Sequence, residues 1–287
     1  MNIAVPNAVT VGVVGCGLMG SGIAEASARC GYQVIVSEAN DALLAKGLDS
    51  IRASLTKAVS RSKATQEEMD KAQARIRGTT RLEDFAPCDL VVEAVTEDMK
   101  LKRQIFAALD GICPPHTILA SNTSCLCVTE MASVTRRGDK VLGLHFFNPV
   151  PVMKLLEIVR TILTSDETLN TCRAFGESLG KTVVVAPDTP GFIVSRLLIP
   201  YLLNAIRAVE DKVASVGDID QAMKLGTNNP MGPLELSDFI GLDTMLNIAN
   251  QMFDEFRDPV YAPPPLLKRM VLAGHLGRKA GKGFYNY

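Results

Sequence analysis

His145 and Glu157 are the two residues best placed for proton chemistry. His145 follows Val141-Leu142-Gly143-Leu144 and precedes Phe146-Phe147-Asn148-Pro149. Glu157 stands among Leu155, Leu156, Ile158 and Val159. A carboxylate in so apolar a run is costly unless it has a partner. Strand–turn–strand geometry would bring it to the imidazole, fixing the tautomer and stabilising the imidazolium, and leave the other ring nitrogen as a general base. A lone histidine at a strand end is more often held by backbone in a partly buried turn. The neighbouring carboxylate is what favours chemistry here.

A second constellation is Gly15-x-Gly17-x-x-Gly20. An apolar strand, Val9 to Val14, runs into it, and a helical pattern opens at about Met19 and runs to Arg29, with Gly31 as its stop. In that setting the glycines are a dinucleotide fingerprint. Gly15 makes the tight turn, Gly17 lets backbone approach a pyrophosphate, and Gly20 lets helix and strand pack closely. Leu18 and Met19 lie inside the turn, at the helix N-terminus that faces the phosphates. The next strand, Gln33 to Ser37, ends at Glu38, eighteen residues past Gly20. A carboxylate there accepts both hydroxyls of an adenosine ribose and repels a 2′-phosphate. Ala39 and Asn40 follow rather than an arginine, so the expected cofactor is NAD and not NADP. Ser121-Asn122-Thr123-Ser124 follows another strand, Thr117 to Ala120, and would face the same crevice; the same residues also suit an ordinary polar turn or helix cap.

These residues need a scaffold. Strand-like runs at Val9–Val14, Gln33–Ser37, Arg75–Thr79, Asp89–Val95, Thr117–Ala120 and Lys140–Leu144 alternate with helical segments, and Leu155–Val159 and Thr182–Ala186 follow with a helix between them. Several are continuous apolar runs, as expected of strands covered on both faces. Residues 41–73 are too long and polar for one crossover helix, and Lys46, Lys57, Arg61, Lys63 and Lys71 make them basic. They predict a helical hairpin projecting from the sheet, either a solvated pair or an arm for a phosphate-bearing substrate. Pro187-Asp188-Thr189-Pro190-Gly191 punctuates the chain, and the pattern beyond is helical, with segments Asp218–Lys224, Pro233–Phe253 and Pro264–Leu272 after a long first helix. The expected architecture is an α/β Rossmann-type NAD-binding domain, residues 1–188, followed by an all-α C-terminal domain, residues 189–287. The apolar stripes of the second domain exceed what one small bundle needs, which points to a homodimer interface there.

Composition excludes other classes. The chain of 287 residues has net charge −1 with 21% charged residues, and it shows neither a basic cluster nor basic–aromatic interleaving, so no nucleic-acid partner is expected. No apolar run reaches bilayer length and Met1–Pro6 lacks a signal-peptide layout, so no membrane is expected and the cytoplasm is the expected compartment. The seven cysteines are scattered, and Cys125-Leu126-Cys127 has no nearby histidine to complete a zinc site, so no metal is expected. Reduced thiols fit best, with Cys16 in the glycine loop open to alkylation.

The chain resembles the L-3-hydroxyacyl-CoA dehydrogenase family, in particular its short, single-function members, nearly end to end. The resemblance rests on Gly15–Gly20, Val91-Val92-Glu93-Ala94, Ser121–Ser124, His145–Pro151, Met153-Lys154-Leu155-Leu156-Glu157, Asp188–Val194, Pro230-Met231-Gly232-Pro233 and Gly281-Lys282-Gly283-Phe284-Tyr285. It implies hydride transfer between C3 of a short acyl-CoA and NAD, with His145 moving the hydroxyl proton and Glu157 orienting it. It further implies that Ser124 bonds the reacting oxygen, that Asn148 holds the nicotinamide region, and that Asn122, Ser124, Glu97, Lys102 and Lys279 belong to the cofactor site. Ser54 and Arg61 match positions that contact CoA, as does Ser124 at the substrate. Where the family carries asparagine after Pro-Gly-Phe-Ile-Val, this chain has Ser195, shorter and without an amide N–H, at the substrate end of the implied site. Two other readings stay open on the residues: a dehydrogenase of a free hydroxy acid or sugar acid, which would not need the basic hairpin, and a weakened NAD-binding protein, which only Ser195 favours.

Overall fold

The apolar runs become strands because both faces of each are covered. In the computed structural model, which describes residues 9–287, they form β1 (Thr10–Val14), β2 (Gln33–Ser37), β3 (Ile76–Thr79), β4 (Leu90–Glu93), β5 (Ile118–Ser121), β6 (Val141–Phe146), β7 (Leu155–Arg160) and β8 (Thr182–Pro187). These make one eight-stranded sheet in the order β3-β2-β1-β4-β5-β6-β7-β8. Every adjacent pair is parallel except β6–β7, which is antiparallel. Val11, Val13, Leu90 and Val92, on the adjacent inner strands β1 and β4, are wholly buried. The strand order reverses between β1 and β4, and the carboxyl ends of strands at such a switch point open into a ligand crevice.

Helices α1 (Leu18–Arg29), α2 (Asp41–Ser60), α3 (Gln66–Ala74), α4 (Met99–Ile112), α5 (Val128–Ala132) and α6 (Asp166–Ser178) connect the strands. The hairpin expected at residues 41–73 is present as α2 and α3, and Thr65 and Glu68 close α3 with a reciprocal capping box. One face of it is anchored and the rest is largely exposed. Ile51, Leu55 and Ala72 are buried with the core that α1 joins, and Gly47 sits so close to Cys16 that a Cβ there would lie 2.4 Å from its Sγ. The strand expected to reach Val95 stops at Glu93, because the Glu93 carboxylate accepts the Val95 N–H at 2.7 Å and turns the chain.

The chain divides after Asp188 into two compact units. The second, Thr189–Tyr287, holds α7 (Val194–Glu210), α8 (Val216–Gly226), α9 (Pro233–Ile240), α10 (Leu242–Phe256) and α11 (Pro265–Leu272). The segment expected as one helix over 233–253 is two, because Gly241 at φ +100 breaks it. The terminal Gly281–Tyr285 motif is a clasp: the buried Asp238 carboxylate accepts the N–H groups of Phe284 and Tyr285, both at 2.9 Å. Asp220 accepts from the N–H groups of Leu234 and Glu235 and from the Tyr285 hydroxyl at 2.8–2.9 Å, so it caps α9 and holds the tail. No helix among the described residues is long and apolar enough to cross a membrane.

Candidate active site

The β6–β7 register sets His145 opposite Glu157. Residues directly opposite on antiparallel neighbours project on the same face. The result is a contact of 2.7 Å between His145 Nδ1 and Glu157 Oε2, with the histidine 5% exposed and the glutamate 0%. A carboxylate only accepts, so Nδ1 carries the proton and Nε2 is the basic nitrogen. The Phe147 ring lies against the imidazole with centroids 4.6 Å apart.

The turn at 121–124 is held from beneath by charge. Glu93, wholly buried, accepts from Ser121 Oγ and Lys102 Nζ, each at 2.7 Å. Lys102 Nζ also lies 3.4 Å from Glu97 Oε2, and Glu97 Oε1 accepts from the Ser124 N–H at 2.8 Å and the Thr123 hydroxyl at 3.0 Å. Asn122 Oδ1 accepts the Phe146 N–H at 2.9 Å, tying this turn to the backbone beside His145. Ser124 therefore sits in a rigid turn. Lys102, expected at the cofactor, is 1% exposed and its ammonium is committed to Glu93, Glu97 and the Val95 carbonyl, so in this structure it holds Glu97. Glu93 was missed as a site residue. Its signal was the one that singled out Glu157, a carboxylate ending the apolar run Leu90-Val91-Val92.

The glycine turn has the form a dinucleotide requires. Gly15 has φ +95, and its N–H donates to Ser37 O at 2.9 Å. A Cβ on Gly20 would fall 1.8 Å from Gly15 O, whereas one on Gly17 would meet nothing within 4 Å. The backbone is thus closed toward the strand and open where a pyrophosphate would approach. Beside it lies a cavity of about 520 Å³ walled by Leu43, Leu101 and Ile105 and rimmed by Gly15, Gly17 and Glu38. Apolar walls suit an adenine, and the Glu38 carboxylate suits its ribose. Glu38 is itself fixed: Oε1 accepts the Cys16 N–H at 2.7 Å and Oε2 the Ala39 N–H at 3.1 Å. These residues fit NAD. Leu18 is exposed at the turn and Met19 half-buried. The Cys16 thiol, expected to be open to alkylation, is buried beneath α2, and burial together with Glu38 pushes its pKa up to about 12. Burial and a raised pKa both disfavour the thiolate that an alkylating reagent needs.

Ser54 is half-buried on α2, and its hydroxyl bonds the buried Glu25 of α1, a carboxyl that burial pushes upward in pKa. Arg61 is exposed at the C-cap of the same helix. Asn148 is exposed in the connection between β6 and β7. In the second unit, Ser195 is the second residue of α7 and half-buried. Lys279 there pairs with Asp243 through both carboxylate oxygens, at 2.6 and 2.7 Å. Two buried or anchored groups were also missed by sequence reasoning. Asp188 accepts from the Val128 and Thr129 N–H groups at 3.0 and 2.6 Å, capping α5, and Lys181 grips the connection after His145. Neither has a local sequence signal, because each partner lies dozens of residues away.

An open α/β sheet with a glycine turn, an acidic second strand and a histidine–carboxylate pair on the same sheet defines an NAD-dependent dehydrogenase. Residues 10–189 match the family model described as 3-hydroxyacyl-CoA dehydrogenase, NAD binding domain, and residues 191–287 match the corresponding C-terminal domain. The chain belongs to the 3-hydroxyacyl-CoA dehydrogenase family. Among its relatives, a 3-hydroxybutyryl-CoA dehydrogenase of Mycobacterium tuberculosis is 51% identical over 279 residues, covering 96% of this chain and 98% of its own. The human mitochondrial hydroxyacyl-coenzyme A dehydrogenase is 44% identical over 284 residues, covering 96% and 90%. The solved (S)-3-hydroxybutyryl-CoA dehydrogenase of Ralstonia eutropha superposes with a TM-score of 0.93 at 45% identity, covering 97% and 98%.

Proposed function

We propose that the protein interconverts (S)-3-hydroxyacyl-CoA and 3-oxoacyl-CoA with NAD(H), on short chains such as 3-hydroxybutyryl-CoA and acetoacetyl-CoA. The observation that carries this is the buried His145–Glu157 pair at 2.7 Å, on a sheet whose crevice fits NAD. The names of the relatives support the short-chain substrate. NAD, when bound, supplies the acceptor for the hydride leaving C3. His145 Nε2 takes the 3-hydroxyl proton and returns it in the reverse direction. Glu157, accepting at Nδ1, steadies the imidazolium that forms. Ser124 donates its hydroxyl to the reacting oxygen, and Asn148 holds the nicotinamide end. Glu38 selects NAD through the ribose, Glu97 with Lys102 and Asn122 fixes the turn bearing Ser124, and Lys279, paired with Asp243, is assigned to the cofactor.

The basic α2–α3 arm is assigned to CoA, through Arg61 and Ser54. Acetoacetyl-CoA should be reduced with loss of NADH absorbance while free acetoacetate is not. Arg61→Ala should raise KM for acetoacetyl-CoA more than for the acetoacetyl pantetheine thioester, which lacks the nucleotide. An equal effect on both would make Arg61 a solvated surface charge.

Ser195 is assigned to the acyl end of the substrate. An asparagine offers an amide donor that serine lacks, and one hydrogen bond to a reacting group amounts to about 1–3 kcal/mol, or roughly ten- to a hundredfold. Ser195→Asn should therefore raise kcat/KM for acetoacetyl-CoA by that order without changing the NADH Kd. A neutral or harmful result would show a site adapted to serine and to a different acyl group.

Leu197, Leu225 and Leu272 of the second unit are 73%, 75% and 87% exposed, and covering them in a homodimer removes that apolar surface from water. Light scattering should then give twice the 30.9 kDa chain mass, and a value of one chain mass at micromolar concentration would refute the dimer. The cytoplasm is the compartment this reading assigns, consistent with seven free thiols.

A further inference from the structure

Lys181 is a buried cation outside the residues assigned to the reaction, at the entry to β8 and 9% exposed. Its ammonium donates to Val150 O at 2.5 Å and to Met153 O at 2.8 Å. Both carbonyls belong to the connection, residues 147–154, between the strand of His145 and the strand of Glu157. That connection is irregular. Within it the Val152 and Met153 N–H groups both turn to Pro149 O, at 3.0 and 2.9 Å. The carbonyls of Val150 and Met153 are served by the lysine. The Val150 carbonyl, out of water, needs a donor, and a charged one is the strongest available.

Two further contacts make this a three-point mount. The Thr182 N–H, next to Lys181 in the chain, donates to Lys154 O at 2.6 Å. Val150 is buried and wedged against α1, where a Cβ on Gly22 would lie 2.9 Å from the Val150 Cβ. Helix α1 begins at the glycine turn that fits the pyrophosphate. The connection bearing Asn148 is thus referenced to the helix that receives the cofactor phosphates and to the entry of β8, with Lys181 closing the arrangement.

We propose that Lys181 is a positioning residue for the reaction: it fixes the 147–154 connection so that Asn148 meets the nicotinamide end of NAD beside His145. The inference rests on the assignment of Asn148 made above. A group held about an ångström out of place costs on the order of a hundredfold in rate. Lys181→Met keeps the alkyl stem and removes the donors and the charge. In that variant NADH binding, followed by fluorescence, should weaken several-fold, while binding of ADP-ribose, which has every part of the cofactor except the nicotinamide, stays at the parent's level. Turnover of acetoacetyl-CoA should fall roughly ten- to a hundredfold with little change in its KM. The milder Lys181→Gln, still a donor but neutral, should show the same loss in smaller degree. Equal loss of NADH and ADP-ribose binding, or no change in either, would overturn the proposal, since the first marks a residue serving the fold alone and the second an idle one. Asn148→Ala separates the two assignments. It should itself weaken NADH and spare ADP-ribose. If it is silent, the Asn148 assignment falls and takes this route for Lys181 with it; if it acts and Lys181→Met does not, Lys181 alone is overturned.

Discussion

Replacing His145 with glutamine should lower turnover of acetoacetyl-CoA by roughly 10²–10⁴-fold, the usual range for loss of a positioned general acid–base. Glutamine fills similar space, and its amide can still donate to the Glu157 carboxylate that now faces Nδ1 at 2.7 Å. It cannot accept a proton and release it near neutral pH. The glycine turn, the cavity of about 520 Å³ and Glu38 are untouched, so NADH affinity should stay near the parent's. Steady-state loss of NADH absorbance measures the first quantity and NADH fluorescence titration the second. Turnover at the parent's level would remove His145 from the chemistry.

Glu157→Gln should also cost on the order of 10²–10⁴-fold in kcat, with KM and NADH affinity little changed. The side chain is wholly buried, so the change swaps a carboxylate for an amide of nearly the same volume. The charge that steadies an imidazolium is lost. The amide can also turn its NH₂ toward Nδ1, which forces the proton onto Nε2, the nitrogen that must be basic. Because the two residues act as one unit, His145→Gln with Glu157→Gln should be hardly slower than His145→Gln alone. Fully additive losses would mean that Glu157 contributes by some path other than the imidazole.

The elements nearest to local physics were the most legible. Parallel strands buried on both faces must be apolar throughout, so β1, β4 and β6 stand out as runs. The glycine turn is legible because the absence of Cβ at Gly15, Gly17 and Gly20 answers needs that arise within six residues. The histidine–carboxylate contact was legible for a related reason. A short connection between two strands leaves few registers, and a glutamate in an apolar run needs a partner.

Other features depend on where distant segments come to rest. One face of the α2–α3 arm packs against the core through Ile51, Leu55 and Ala72, and the thiol of Cys16 is sealed by Gly47, thirty-one residues on. The helix over 233–253 is two helices because Gly241 takes φ +100. A glycine inside a helical pattern carries no mark of which conformation the surrounding packing will impose.

The sequence by itself determined the alternating α/β architecture, the dinucleotide turn, the acidic end of β2 and the presence of a histidine and a carboxylate suited to act together. These follow from periodicity, from missing side chains and from the cost of a charge among apolar residues, all of which operate over a few residues. Only the tertiary structure decided what the buried charges hold: Lys102 between Glu93 and Glu97, Asp188 on α5, Asp238 on the C-terminal tail, Lys181 on the connection after His145. A charge taken out of water must find donors or acceptors, but its type fixes only that need. Which backbone group meets it is settled by packing between segments far apart in the chain.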